Sequence, residues 1–277
     1  MKISASSLLA LIGDTLKRLF ADEAIPLAGN IAFRLIFSIF PFLIFLTSLA
    51  GFFGSTKLSE AVVNYLLSVA PEQLIKPLAP EISSILTVQH SGLLSLSALL
   101  TIWSAMGGVD SIRVALNRAY DLKDLRPFWY LYIQNVIFVV GTAALLLAVA
   151  VLLVVYPLLV QALQTYAPSE VARFASLNTM RYPLAMALLL IGLEVAHVVL
   201  PAQPPLARTV FPGVLLTVIV WTLLSAAFSF YLSHVNSFAS TYASLSGIFA
   251  AMLFVYQAAL VLIFGGEFNR VLGSLKG

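Results

Sequence analysis

From Thr209 to Gly266 the chain runs for 58 residues without one Asp, Glu, Lys or Arg, and a polar seam, Ser233-His234-Val235-Asn236-Ser237, interrupts it near the middle. A bilayer core takes roughly 20 apolar residues per helix, so this stretch is too long for one span and fits two joined by a tight hairpin. Composition points the same way: 61% of residues are hydrophobic, 10% are charged, and mean hydropathy is +1.00. A soluble domain carries roughly 25% charged residues. The sequence therefore reads as an all-α polytopic membrane protein, a single membrane domain over residues 1–277. The absence of cysteine rules out disulfides, thiolate metal sites and thiol catalysis.

Hydropathy places six spans at about 31–53, 93–108, 129–156, 182–200, 211–232 and 245–272. The first carries Pro41, which a membrane helix tolerates where neighbours re-satisfy the freed backbone. The third lies in a 43-residue charge-free interval between Arg126 and Glu170. Two flanking segments differ. Residues 1–28 are too broken by Ser4, Ser6 and Ser7 for a signal peptide; Leu8, Ile12, Leu16, Leu19 and Phe20 recur at helical spacing opposite Asp14, Lys17, Arg18 and Asp22. That pattern predicts an interfacial helix. Residues 55–90, with an apolar stripe at Leu58, Val62, Tyr65, Leu66 and Val69 and breaks at Pro71, Pro77 and Pro80, predict short amphipathic helices on the outer face.

Six spans put both termini on one side. If that side is cytoplasmic, the inner segments hold Lys2, Lys17, Arg18, Arg113, Arg118, Lys123, Arg126, Arg208, Arg270 and Lys276, against Lys57, Lys76, Arg173 and Arg181 outside. The bias predicts a multi-pass protein of the bacterial inner membrane with both termini cytoplasmic. It also accounts for the basic loop Arg113 to Arg126, so nucleic acid is not an expected partner.

Several runs resemble a known family. Ala32-Phe33-Arg34-Leu35-Ile36-Phe37-Ser38-Ile39-Phe40-Pro41 is similar to the first-span signature of the BrkB/YihY family of bacterial inner-membrane proteins, long mislabelled as ribonuclease BN. Ile102-Trp103-Ser104, Ala115 to Asp121 and Arg126-Pro127-Phe128-Trp129 resemble its second-span exit and loop. Phe211-Pro212-Gly213 with Phe228 to Tyr231 resembles its fifth span, and Tyr242 to Leu245 with Gly265-Gly266-Glu267-Phe268-Asn269 its sixth. The chain departs at Arg34, where many relatives have a second aromatic, and at Ala243, where they have glycine. The resemblance implies a six-helix inner-membrane protein, with lipid or lipid-intermediate transport the suggestion attached to relatives. The nuclease label implies chemistry these residues do not support: His90, His197 and His234 lie on different segments, and no nucleophile, base and orienting group occur at workable spacing. No catalytic residue and no metal site is expected. No cofactor is expected either, since neither a GxxxxGK[ST] run nor a GxGxxG turn is present.

Polar residues in apolar spans are expensive and tend to mark pathways or cavities. Glu194 and His197, three apart on the fourth span, are the candidates for proton coupling; an interior pair that docks one helix on another gives the same pattern. A second set, Arg34, Asp110, Arg113, Asn117, Glu267 and Asn269, gathers at the inner ends of the spans with Gln134 and Asn135 nearby. Asp110, Arg113 and Asn117 share a helix face, and Glu267 is expected to pair with Arg34 or Arg113. This set forms either a network clamping the bundle or a polar mouth that receives an anionic headgroup. Ala239, Ala243, Gly247 and Ala251 recur every four residues as a small-residue packing face, and Ser95, Ser97, Thr101 and Ser104 suit interhelical hydrogen bonds or a conduit wall. Two functions follow: a carrier or flippase for a lipid or amphiphilic anion, and a noncatalytic membrane scaffold or envelope-assembly partner. Membrane lipids are the expected surroundings; homo-oligomerisation is left open.

Overall fold

The computed structural model of the chain describes residues 5–52, 94–157, 160, 168–234 and 243–274. Among these residues the regular elements are helices: α1 (Ala5–Ala21), α2 (Ala24–Phe52), α3 (Leu94–Ala119), α4 (Phe128–Ala150, continued by a π-helical turn, Val151–Val155), α5 (Pro168–Val199), α6 (Ala207–His234) and α7 (Ala243–Ser274). Six of them, α2 to α7, are long and apolar enough to cross a membrane. The chain is an all-α polytopic membrane protein.

Helix α1 stops earlier than the expected 1–28 segment. Glu23 takes a left-handed backbone, φ 57°, which closes the first helix and redirects the chain, so residues 24–28 belong to α2, which starts at Ala24 and not at Ile31. Pro26 is harmless there, because a helix's first-turn N–H groups have no intrahelical acceptor to lose. The apolar residues of α1 split between two directions. Leu11, Thr15 and Leu19, spaced by four, are buried against the bundle, while Leu9, Ile12, Leu16 and Phe20 remain exposed. The exposed stripe suits a helix lying against lipid.

Helices α2 to α7 pack in sequence order, each on the next, and α7 closes on α2, so the spans form a ring; α3 and α7 also touch across it, and α1 rests on α7. The core at the α2, α3 and α7 junction is built from small side chains, Ala24, Ala28, Ala115, Ala119 and Ala259, around Leu19, Ile31 and Ile263. In a bilayer, close backbone approach and dispersion hold helices together, since lipid tails are as apolar as the side chains. α4 sits at the lipid-facing rim: its window Phe128–Leu153 has mean hydropathy 3.0, yet only 6% of it is buried.

The tightest crossing joins α6 to α7. A methyl group on Gly213 would collide with the Gly265 carbonyl, and one on Gly265 with the Thr217 hydroxyl. Pro212 interrupts the first turns of α6, and the Asn269 side chain repairs the break. It accepts the Gly213 N–H at 2.7 Å and donates to the Val210 carbonyl at 2.8 Å. α3 ends in a closed Schellman turn: Asp121, at φ 55°, and Leu122 donate to the carbonyls of Arg118 and Asn117. That turn throws Lys123 to Pro127 back toward the bundle.

The expected outer segment 55–90, Ala239 of the small-residue face and the centre of the polar seam lie outside the described residues. Of the rest of that face, Gly247 is buried and Ala251 half-buried. Thr101 bonds the Ser97 carbonyl of its own helix at 2.7 Å, so this hydroxyl is not the interhelical bridge the serine-rich pattern suggested.

Candidate functional site

At one end of the ring the starts of α2, α4 and α6 meet the ends of α3, α5 and α7, and most of the charged side chains among the described residues gather there. Asp124, from the loop after α3, is the hub. It accepts from both Arg113 and Arg126, the latter at 2.8 Å, and from Asn117 at 3.1 Å. Arg113 also holds Asp110 at 2.6 Å, Arg126 reaches the Leu200 carbonyl at 2.8 Å, and Asn117 accepts the Ala202 N–H at 2.7 Å. This cluster ties α3 to the α5–α6 connection. The Arg126 guanidinium holds the Asp124 carboxyl well below the usual carboxylate range, against the opposing effect of burial, with Arg113 adding to the pull.

Glu267 and His197 are fully buried. Glu267 pairs at 3.2 Å with Arg18 of α1, which corrects the expected pairing with Arg34 or Arg113. Arg113 is held by two aspartates of its own neighbourhood, and α1 lies across the foot of α7, bringing Arg18 closer than either. His197 Nδ1 meets the Tyr120 hydroxyl at 2.8 Å, and Asn269 donates to that hydroxyl at 3.3 Å. His197 and Glu194 thus diverge: the histidine turns inward, while Glu194 stays half-buried with no hydrogen bond or ion pair among the described residues. They are not a bonded pair.

Arg34 stands apart from both groups. It lies across α3, donating from Nε to Asn30 Oδ1 at 3.0 Å and from Nη1 to the Gly107 carbonyl at 3.3 Å. Gly107 permits this, since a Cβ there would lie 2.8 Å from Nη1. Among the described residues no carboxylate pairs with it, and two of its five N–H donors are used. Arg34 opens onto a cleft of about 480 Å³ between α2, α3 and α4. Each helix contributes both aromatic and polar side chains to the cleft lining: Phe33 and Phe37 with Asn30 and Arg34, Trp103 with Asp110, and Tyr132 with Asn135. All four aromatics are more than half exposed, and Phe33 stacks on Phe37 at 6.1 Å between ring centroids.

The six residues expected to form one polar mouth therefore fall in three places. Arg34 and Asp110 line the aromatic cleft, Arg113 and Asn117 line a second, charged hollow of about 360 Å³ beside Asp124, and Glu267 and Asn269 are locked inside the bundle. The separation is steric: Asp110 to Asn117 spans two turns of α3, and the Asp124 loop folds over the later one. Sequence reasoning missed Arg18, Tyr120, Asp124 and Asn30. Tyr120, Asp124 and Arg126 fall in or beside runs that had already stood out, so a signal existed for them; Asn30 sits one helical turn before Arg34, the ordinary spacing for a side-chain partner. Nothing in the spacing pointed from Arg18 to Glu267, which are 249 residues apart.

Fold and site together define a helical membrane protein with a charge-clamped end and an amphiphilic cleft opening between its first three spans. The chain belongs to the family described as Virulence factor BrkB, whose profile matches residues 15–276. It is similar to the ribonuclease-like protein YfkH of Bacillus subtilis, 28% identical over 266 residues, 94% of this chain and 96% of that one. It is also similar to a UPF0761 membrane protein of Alteromonas mediterranea, 24% identical over 277 residues, 98% of this chain and 90% of that one. No solved structure matches it. Among the described residues no three His, Asp or Glu side chains come together as a metal would require.

Proposed function

We propose that this protein binds an anionic amphiphile in the α2–α3–α4 cleft and carries it across the membrane. The observation that carries this reading is Arg34: a guanidinium without a carboxylate partner among the described residues, beside aromatic side chains. A cation in a membrane span usually faces a neutralising charge or a water-filled cavity. An anionic headgroup supplies that charge, and a chain laid along Phe33, Phe37 and Trp103 accounts for the aromatic part of the lining. In this reading the charged end is cytoplasmic, as the Lys and Arg bias favours, and the protein sits in the bacterial inner membrane. Glu194, an acid in a span with no partner among the described residues, is the proton-coupling candidate. The nuclease word in the name of the Bacillus relative belongs to that protein; here no catalytic role is proposed.

A scaffold reading has one observation of its own. The Asp124 hub and the Arg18–Glu267 pair fasten the bundle's end, as a clamp would. The test is movement of a labelled anionic phospholipid between leaflets in vesicles reconstituted with purified protein. Wild type moves it faster than empty vesicles and Arg34→Gln does not. Equal rates with and without wild-type protein, over a panel of anionic amphiphiles and with an imposed proton gradient, leave the scaffold reading.

A further inference from the structure

The cleft holds more than a cation. Asp110 lines it, and both of that carboxylate's bonds fall on Oδ1: from Arg113 at 2.6 Å and from the Asn135 amide at 3.5 Å. Oδ2 has no partner among the described residues. Asn135 also lines the cleft and is more than nine-tenths buried, and its Oδ1 is an unpaired buried acceptor. The amide orientation is dictated by chemistry, since the NH2 group must face the carboxylate and the carbonyl is the end left over. A buried acceptor without a donor costs free energy, and water or a ligand hydroxyl removes that cost. Beside one guanidinium with donors to spare there are therefore two acceptors with none: Asp110 Oδ2, on a carboxylate that is partly exposed, and Asn135 Oδ1, closed off from solvent and reached by a ligand hydroxyl only as the amide turns toward the cleft.

We infer that the ligand's headgroup joins an anionic phosphodiester to hydroxyl groups, the phosphate on Arg34 and the hydroxyls on Asp110 Oδ2 and Asn135 Oδ1. This rests on the proposed function and narrows its substrate class. The Asp110 charge does not repel such a phosphate strongly, because the Arg113 guanidinium already neutralises it at 2.6 Å. A headgroup that is only an anion satisfies Arg34 and leaves the two acceptors bare. A polyol satisfies both sides, and the exposed aromatic rings of Phe33, Phe37 and Trp103 favour a lipid source over a free phosphate ester.

The inference is tested on the full chain in nanodiscs by comparing retention of phosphatidylglycerol with phosphatidylmethanol, which has the same charge and no hydroxyl, and with neutral phosphatidylcholine. Two hydrogen bonds to otherwise unpaired acceptors predict a preference for phosphatidylglycerol over phosphatidylmethanol of about tenfold. Asn135→Leu shrinks that preference without changing phosphatidylmethanol retention, whereas Arg34→Gln weakens both anionic lipids. Because the primary comparison uses wild type, it stands even if a variant folds poorly. Equal retention of the two anionic lipids, both lost in Arg34→Gln, overturns the hydroxyl inference and leaves the anion reading intact. Retention of neither above phosphatidylcholine overturns both. Displacement by free glycerol phosphate at the concentration at which the lipid itself competes overturns the lipid source.

Discussion

The Glu267 carboxylate, fully buried at the foot of α7, meets the Nε–H of Arg18, 249 residues away on α1, at 3.2 Å. Arg18 is about a third exposed, so the partners are unequal: losing the arginine strands a buried acid, whereas losing the acid strands a group that still reaches water and Asp22 at 3.7 Å. Arg18→Gln should therefore destabilise the detergent-solubilised protein by about 1 to 3 kcal/mol, more than Glu267→Gln does. The double mutant should be no less stable than Arg18→Gln alone. Thermal melts of the three variants check this, and additive losses would show that the two side chains do not act as a pair.

Asp124 gives the charged end a signature in acid. Its carboxyl titrates below the usual range in the folded protein and near 3.9 when unfolded. A lowered folded value means that its stabilisation is fully present well above the unfolded value and is lost as pH falls through it toward the folded one. Asp124→Asn removes that contribution and leaves the 8% exposed Arg113 with Asp110 alone. The stability gap between wild type and Asp124→Asn should be constant from pH 8 to about 5.5 and narrow progressively below pH 4. A gap that widens in acid would reverse the assignment.

At the α6–α7 crossing the obstacles to added bulk include backbone. Gly265→Ala and Gly213→Ala each force a methyl into a neighbour that cannot rotate away freely, and overpacking of this kind costs about 1 to 3 kcal/mol or more. Gly107→Ala is the contrast. The atom it meets is the tip of Arg34, a flexible end, so stability should stay near wild type while anionic-lipid retention falls. Melting curves with lipid retention on all three variants separate the two kinds of glycine.

Glu194→Gln tests coupling. If this residue carries a proton during transport, the variant folds normally and loses the acceleration that an imposed proton gradient gives wild type. A gradient response identical to wild type would remove Glu194 from the cycle.

The six long helices were legible because apolar runs and their breaks are local properties, and a bilayer allows few other solutions for them. The site was legible in part. Arg34 stood out as a cation opening a span, and Asp110, Arg113 and Asn117 stood out by helical spacing, yet spacing along α3 does not say which turn the Asp124 loop will cover. The Arg18–Glu267 pair was hidden for a related reason: α1 showed an amphipathic pattern, but the direction of its inner face depends on the left-handed turn at Glu23. Asn269 looked like part of a mouth because a polar residue near a helix end reads that way. Its role in mending the Pro212 break becomes visible only when α6 and α7 are side by side.

Whether Arg34 receives an anionic headgroup is decided by a structure of the full chain in nanodiscs rich in anionic phospholipid. Headgroup density is expected on the Arg34 guanidinium within the α2–α3–α4 cleft, with an acyl chain along Phe33, Phe37 and Trp103, and its loss in Arg34→Gln. A well-ordered cleft without lipid density, or a headgroup bound elsewhere and indifferent to Arg34→Gln, would contradict it.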